Sequence, residues 1–158
     1  MSDLFIRYGN FLFKYRNHLF PVVLLLLLVL FQPVPFPDQT GDWHMDIIGI
    51  LLAVAGQCLR AAVIGLAYIK RGGVNKKIHA DTLVTGGLFS HCRNPLYIGN
   101  LLILAGILII INNPWVYLLG GGFFLVSYSA IVRAEEQYLA GKFGRDYARY
   151  CSRVGRWT

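Results

Sequence analysis

The sequence predicts an all-α, polytopic membrane protein with four transmembrane helices, an N-terminal interfacial helix and a C-terminal amphipathic helix. Three observations lead there. Apolar residues make up 56% of the chain and charged residues only 15%, too few to cover a compact soluble fold. Apolar runs recur at lengths near the ~20 residues needed to cross a bilayer. Every Lys and Arg except Arg60 falls on one face of a four-span arrangement, the asymmetry that marks a cytoplasmic side.

At 158 residues the chain fits a single domain. Residues 1–17 place Leu4, Tyr8, Phe11 and Tyr15 at helical spacing, with Arg7, Lys14 and Arg16 available to headgroups. That pattern predicts a helix lying in the interface. Its amphipathic start, without a small-residue cleavage site, predicts no cleavable signal peptide. Residues 18–132 hold the spans: 18–36, 46–69, 96–112 and 114–132. The third is short. Asn112-Asn113-Pro114 joins the last two in a turn brief enough to predict a tight antiparallel hairpin. Residues 133–158 form the C-terminal helix.

Four spans put both termini on the cytoplasmic side. Arg7, Lys14 and Arg16 precede the first span; Lys70, Arg71, Lys76, Lys77 and Arg93 separate the second and third. Arg133, Lys142, Arg145, Arg149, Arg153 and Arg156 follow the fourth. The opposite loop, 37–45, carries Asp38 and Asp42 and no basic residue. The net charge of +7 therefore reads as topology and attraction to anionic lipid headgroups. Nucleic acid is not an expected partner, because the basic residues hug the spans. Cys58, Cys92 and Cys151 have neither disulfide-framework nor zinc spacing. The histidines are dispersed, so no metal site is expected.

The stretch HCRNPLYIGN, residues 91–100, opens the third span. Asn94 suits a helix N-cap and Pro95 the first turn. Such a helix aims free N–H groups and partial positive charge at the cytoplasmic interface, an anion site by construction. Arg93 adds a full charge and Tyr97 a ring and a hydroxyl. The alternative is a well-capped helix with an interfacial Arg and Tyr and no further role.

Two other places can carry chemistry. Arg60 lies near the middle of the second span, where a guanidinium costs at least ~2.5 kcal/mol and normally faces the bundle interior or a wet cavity. Glu135 heads the stripe Leu139, Phe143, Tyr147, Tyr150, and Glu136 stands beside it. A carboxylate on an apolar face needs a partner, and Arg133 or Lys142 would serve structurally. Gly120-Gly121-Gly122 is explained by close helix packing.

The segments HADTLVTGGLFSHCRNPLYIGN (79–100) and EEQYLAGKFGRDYARY (135–150) resemble the isoprenylcysteine carboxyl methyltransferase and phospholipid methyltransferase superfamily. Its members are small integral membrane enzymes that use S-adenosylmethionine. The resemblance covers roughly the C-terminal half. It rests on a Thr-Leu-Val stretch, an Arg-His-Pro-x-Tyr pattern and a Glu-Glu pair followed by Phe-Gly-x-x-Tyr-x-x-Tyr. It implies cofactor contacts from Thr82, Leu83, Val84, Phe89, Arg93, Asn94, Pro95, Leu96, Tyr97 and Glu135. Phe89 stands where relatives often have Tyr. Asn94 stands where the pattern has His, and it hydrogen-bonds without titrating near neutral pH. Arg60, Arg133 and Glu136 are the candidates for catalysis, the two arginines as an acceptor clamp and Glu136 (or Glu135) as the base that an amine acceptor, unlike a carboxylate, would need. The implied activity is methyl transfer to a lipophilic acceptor, foremost a carboxylate as in isoprenylcysteine O-methylation. Ethanolamine phospholipid N-methylation is the alternative within the family. An NADPH-dependent sterol-type reductase and a non-enzymatic membrane protein are the alternatives outside it. Oligomeric state is open, though so small a bundle is of a size to dimerise.

Overall fold

The computed structural model describes residues 3–35, 39–67 and 78–157. Four helices organise it: α1 Asp3–Leu30, α2 Gln39–Ala67, α3 Pro95–Ile111 and α4 Gly122–Cys151. A 3-10 turn, Gly87–Ser90, precedes α3, and a π-helical turn, Val116–Gly121, leads into α4. There is no strand among the described residues. Among the described residues three helices are long and apolar enough to cross a membrane: Asp3–Leu30, Gly41–Gly65 and Val116–Cys151. The fourth apolar helix, Pro95–Ile111, is shorter, at 17 residues. The chain is an integral membrane protein by this measure. Lys70, Arg71, Lys76, Lys77 and Asp38, on which part of the charge argument stands, lie outside the described residues.

The N-terminal segment departs from expectation. No break separates an interfacial helix from a first span: α1 runs without interruption from Asp3 to Leu30 and carries Pro21 within it, as membrane helices tolerate. The helix also has a second face, which packs on the bundle. Leu4, Tyr8, Phe11 and Tyr15 are exposed, whereas Leu12 is 1% and Phe13 7% exposed. Gly9 lies directly against the backbone of Ala130 on α4. The reason is physical. Gly9 contributes nothing to an apolar stripe, yet its missing side chain is what lets α1 and α4 approach, so the packed face is invisible to hydropathy.

The helices associate as two pairs, α2 with α3 and α1 with α4. In the first pair Gly49 meets Gly106 and Gly56 meets Gly99, each pair close enough that a methyl group would collide with the opposite carbonyl. Small residues at such spacing bring helices together where lipid offers no hydrophobic drive. Within the glycine triplet, Gly120 packs against Leu27 and Leu108, while nothing approaches Gly122.

The expected hairpin of α3 and the following helix forms its turn but not its tight packing. Asn112 takes the left-handed conformation at φ 46°. The Asn113 side chain accepts the Trp115 N–H at 2.9 Å, a regular helix cap beside Pro114. The same asparagines anchor the end of α1: Asn112 donates to the Val34 carbonyl at 2.8 Å and Asn113 to that of Gln32 at 2.9 Å. Beyond the turn α3 and α4 diverge, because each is drawn to its own partner helix. An apolar groove of about 610 Å³ remains between them, walled by Ile98, Leu101, Ala105, Phe124 and Tyr128, with Trp157 among its lining residues.

Candidate functional site

The third helix begins as expected, with Asn94 at the cap position and Pro95 in the first turn. The Asn94 side chain, however, makes no cap bond. Its amide donates instead to the Arg156 carbonyl, 3.2 Å away. The adjoining Arg93 N–H donates to the Gly155 carbonyl at 3.0 Å. The C-terminal tail thus folds back beneath α3, a contact no local pattern announces.

Across from this turn runs the segment around Thr82. Gly144, at φ 47° and ψ −116°, bends α4, a conformation glycine adopts without steric cost. Leu139, Tyr147, Tyr150 and Val154 then bury themselves around Ala80, with Leu83 and Phe143 beside them. The Tyr150 hydroxyl donates to the Phe89 carbonyl at 2.7 Å, and Phe89 itself is 2% exposed. Lys142 donates to the Ala80 carbonyl. The apolar stripe expected on this helix is therefore the face that pins residues 80–89. Between these parts lies a narrow cleft lined by Thr82, Leu83, Val84, Arg93, Asn94, Leu139, Tyr147 and Tyr150.

Glu136 closes one side. It is 12% exposed and lies 3.4 Å from Arg93 and 2.6 Å from Arg156. Arg156 reaches both oxygens, its Nε at 3.1 Å from each, the bidentate geometry that makes such pairs strong. Burial works against the Arg93 charge, but Glu136 and Cys151 outweigh it and hold the guanidinium more firmly protonated. Arg93 also donates to the Cys151 sulfur at 2.7 Å. Its Nε stays buried with no hydrogen-bond partner among the described residues.

Glu135 turns to the other side of the α3 start, where it hydrogen-bonds the Tyr97 hydroxyl. Arg16 donates to that hydroxyl at 3.0 Å and lies 4.1 Å from the Phe13 ring. Arg16 therefore points into the bundle rather than to headgroups, a second correction to the interfacial reading of the N-terminus. Tyr97 is 5% exposed and packs on Tyr128 at 5.5 Å between ring centres. Tyr128 hydrogen-bonds Asn100, and Asn100 accepts from Arg60. Arg60, expected inside the bundle, is there, with its Nε buried and unpartnered among the described residues.

Of the sequence candidates, the cleft gathers Thr82, Leu83, Val84, Arg93 and Asn94. Phe89 supports it from behind, and Pro95, Leu96 and Tyr97 form the first turn of α3. Arg133 is not drawn in. It is exposed and lies 5.2 Å from the Phe5 ring, with no contact to Arg60 among the described residues. Sequence reasoning missed Arg156, Asn100, Tyr128 and the inward turn of Arg16. Arg156 had a signal only in its basic charge, which served equally well as topology. A groove of about 980 Å³ between α1 and the middle of α4 is bordered by the exposed Asn10, Lys14, Gln137 and Lys142 and lies apart from this cleft.

Comparison with known proteins bears on this geometry. Residues 45–146 match the phospholipid methyltransferase family. The chain is 25% identical over 142 residues to protein-S-isoprenylcysteine O-methyltransferase B of Arabidopsis thaliana, covering 88% of this chain and 72% of that protein. It is 30% identical over 153 residues to the cobalt-zinc-cadmium resistance protein CzcN of Cupriavidus metallidurans, covering 92% of this chain and 64% of that one. The human protein-S-isoprenylcysteine O-methyltransferase is 30% identical over 124 residues, 75% of this chain but 43% of its own length. No solved structure matches significantly. The matched segment spans most of α2, the cleft apart from Tyr147 and Tyr150, all of α3 and most of α4, and through it the chain belongs to the phospholipid methyltransferase family, a family of methyltransferases.

Proposed function

We propose that the chain is an S-adenosylmethionine-dependent methyltransferase acting on a lipophilic acceptor, most closely a carboxylate as in isoprenylcysteine O-methylation. The observation that carries this reading is the cleft itself. It brings the Thr82–Val84 segment and the rings of Tyr147 and Tyr150 together with Arg93 and Asn94. Apolar and aromatic walls suit an adenine ring. The Arg93 Nε, without a hydrogen-bond partner among the described residues, suits a carboxylate, and Glu136, already paired with Arg93 and Arg156, holds that arginine in place. By residue chemistry the lining suits S-adenosylmethionine, which when bound supplies a sulfonium methyl; at about 10 Å³ the cleft is closed and has to widen to admit it.

The protein's part is positional. Methyl transfer to a carboxylate needs alignment and exclusion of water, with no base. The apolar groove between α3 and α4 takes the acceptor's hydrocarbon, and Tyr128 on its wall leads through Asn100 to Arg60. A buried guanidinium with an unused N–H favours an anionic head over an ethanolamine amine. Arg60 is the acceptor clamp in this reading, and Arg133 lies outside it. Glu136, held by two arginines, orients rather than accepts a proton. An amine acceptor would require a base, for which Glu135 stands nearest the α3 start. In the same proposal the chain spans the membrane four times with both termini cytoplasmic, and its basic rim contacts anionic headgroups.

The test is equilibrium binding of S-adenosylmethionine and NADPH to the detergent-purified protein and its Glu135→Ala variant. Micromolar binding of the first, weakened by the substitution, supports the reading. Preference for NADPH moves the chain to reductase chemistry, and binding of neither removes the enzymatic assignment.

A further inference from the structure

The chain starts two helices with Asn-Pro. Asn113 caps its helix in the ordinary way, its side-chain oxygen on the Trp115 N–H at 2.9 Å. Asn94 does not cap, because Arg156 holds its side chain by the backbone carbonyl at 3.2 Å. With its other end the same arginine occupies both oxygens of Glu136, at 2.6 to 3.1 Å, while Arg93 stands further off at 3.4 Å. Two guanidiniums therefore share one carboxylate, and Arg156 has the larger share. A carboxylate this buried must be paired. Were Arg156 absent, Glu136 would draw Arg93 into a close pair and out of the cleft that it lines.

Resting on the reading that this cleft takes S-adenosylmethionine, we propose that Arg156 is a positioning residue. Its side chain neutralises Glu136 and so keeps the Arg93 Nε, the part of that guanidinium engaged by neither Cys151 nor Glu136, turned to the cleft for the cofactor's carboxylate. It need not touch cofactor or acceptor. Its own side chain is 39% exposed, and it is absent from the cleft lining. The next residue, Trp157, lines the α3–α4 groove, so the tail borders both the cofactor cleft and the apolar groove.

The proposal makes an unusual demand on a double variant. Arg156→Ala should weaken S-adenosylmethionine binding about tenfold or more, the scale of a lost charge-assisted bond. The acceptor KM at saturating cofactor should not move. Arg156→Lys should recover part of the loss. Adding Glu136→Gln to Arg156→Ala should restore affinity, because a neutral amide in place of the carboxylate no longer captures Arg93; a purely structural tail would instead lose more. Unchanged cofactor affinity in Arg156→Ala, or additive losses in the double variant, overturns the proposal. Hydrogen exchange without cofactor forms a separate arm. Arg156→Ala should speed exchange of the Arg93 amide, which donates to Gly155, and wild-type protection there also overturns it. If the wild-type chain binds no S-adenosylmethionine, the methyltransferase reading falls with the cofactor role. The exchange arm then decides alone whether Arg156 tethers Arg93.

Discussion

Arg16 and Tyr97 stand 81 residues apart in sequence, yet the guanidinium of the first donates to the hydroxyl of the second at 3.0 Å. The bond joins α1 to the first turn of α3, and Glu135 brings α4 to the same hydroxyl. Helices from both packing pairs thus meet at one oxygen. The rest of the α3–α4 boundary is loose, so this junction fixes the start of α3 relative to α4.

Tyr97→Phe keeps the ring and its packing on Tyr128 but leaves Arg16 and Glu135 without their shared partner. A loss of about 1–3 kcal/mol is expected for partly buried charged groups so stranded. Thermal unfolding in detergent checks it, with Arg16→Gln as the second arm of a double-mutant cycle. The pair of substitutions should cost less than the sum of the two; strict additivity would mean that the contact carries no coupling.

The glycines at the α2–α3 seam should be intolerant and the last of the triplet tolerant. Gly106→Leu forces the α2 backbone near Gly49 apart, and overpacking of this kind costs about 1–3 kcal/mol or more. Gly122→Ala meets nothing within 4 Å and gains helix propensity. Detergent-solubilised yield and unfolding temperature should fall for the first variant and hold or rise for the second.

Arg60→Ala should lower methyl transfer by about a hundredfold, as expected when a buried charge-assisted contact to the acceptor is lost. Binding of S-adenosylmethionine should stay within about twofold of wild type. Parallel loss of cofactor binding and of unfolding temperature would make Arg60 a structural strut for Asn100 instead.

Burial pushes the Cys92 thiol above its ordinary pKa, against a smaller opposing effect of the Asn94 backbone. Below the ordinary thiol pKa both folded and unfolded chains hold the proton, and stability does not depend on it. As pH rises past that value the unfolded chain ionises first, so stability should fall until the folded thiol ionises too. Cys92→Ala should flatten this part of an alkaline unfolding series. An unchanged slope would assign it to other groups.

Much of the site is legible without any tertiary contact. Thr82 to Val84, Arg93 and Asn94 follow from the resemblance and line one cleft. The stripe Leu139, Phe143, Tyr147, Tyr150 packs as a face, because one periodicity carries it to the Gly144 bend and the bend redirects it without turning it outward. The N-terminus departs from its sequence pattern for a reason that applies to any chain in lipid. Both the outward and the packed faces of α1 are apolar, so alternation with polar residues cannot tell them apart. The deciding residue, Gly9, has no side chain to register.

The sequence by itself determined the membrane class, the apolar segments, the Asn-Pro helix starts and the family. Each of these follows from the solvent preference or backbone chemistry of residues close together in the chain. Only the tertiary structure decided that α1 is one helix packed on α4, that α3 and α4 part to leave a groove, and that Arg16 faces inward. The same holds for Asn94, whose side chain goes to Arg156 rather than to its own helix. These outcomes depend on which distant partner satisfies a charge or an amide. Hydropathy records that such a group needs a partner, and only the fold supplies its identity.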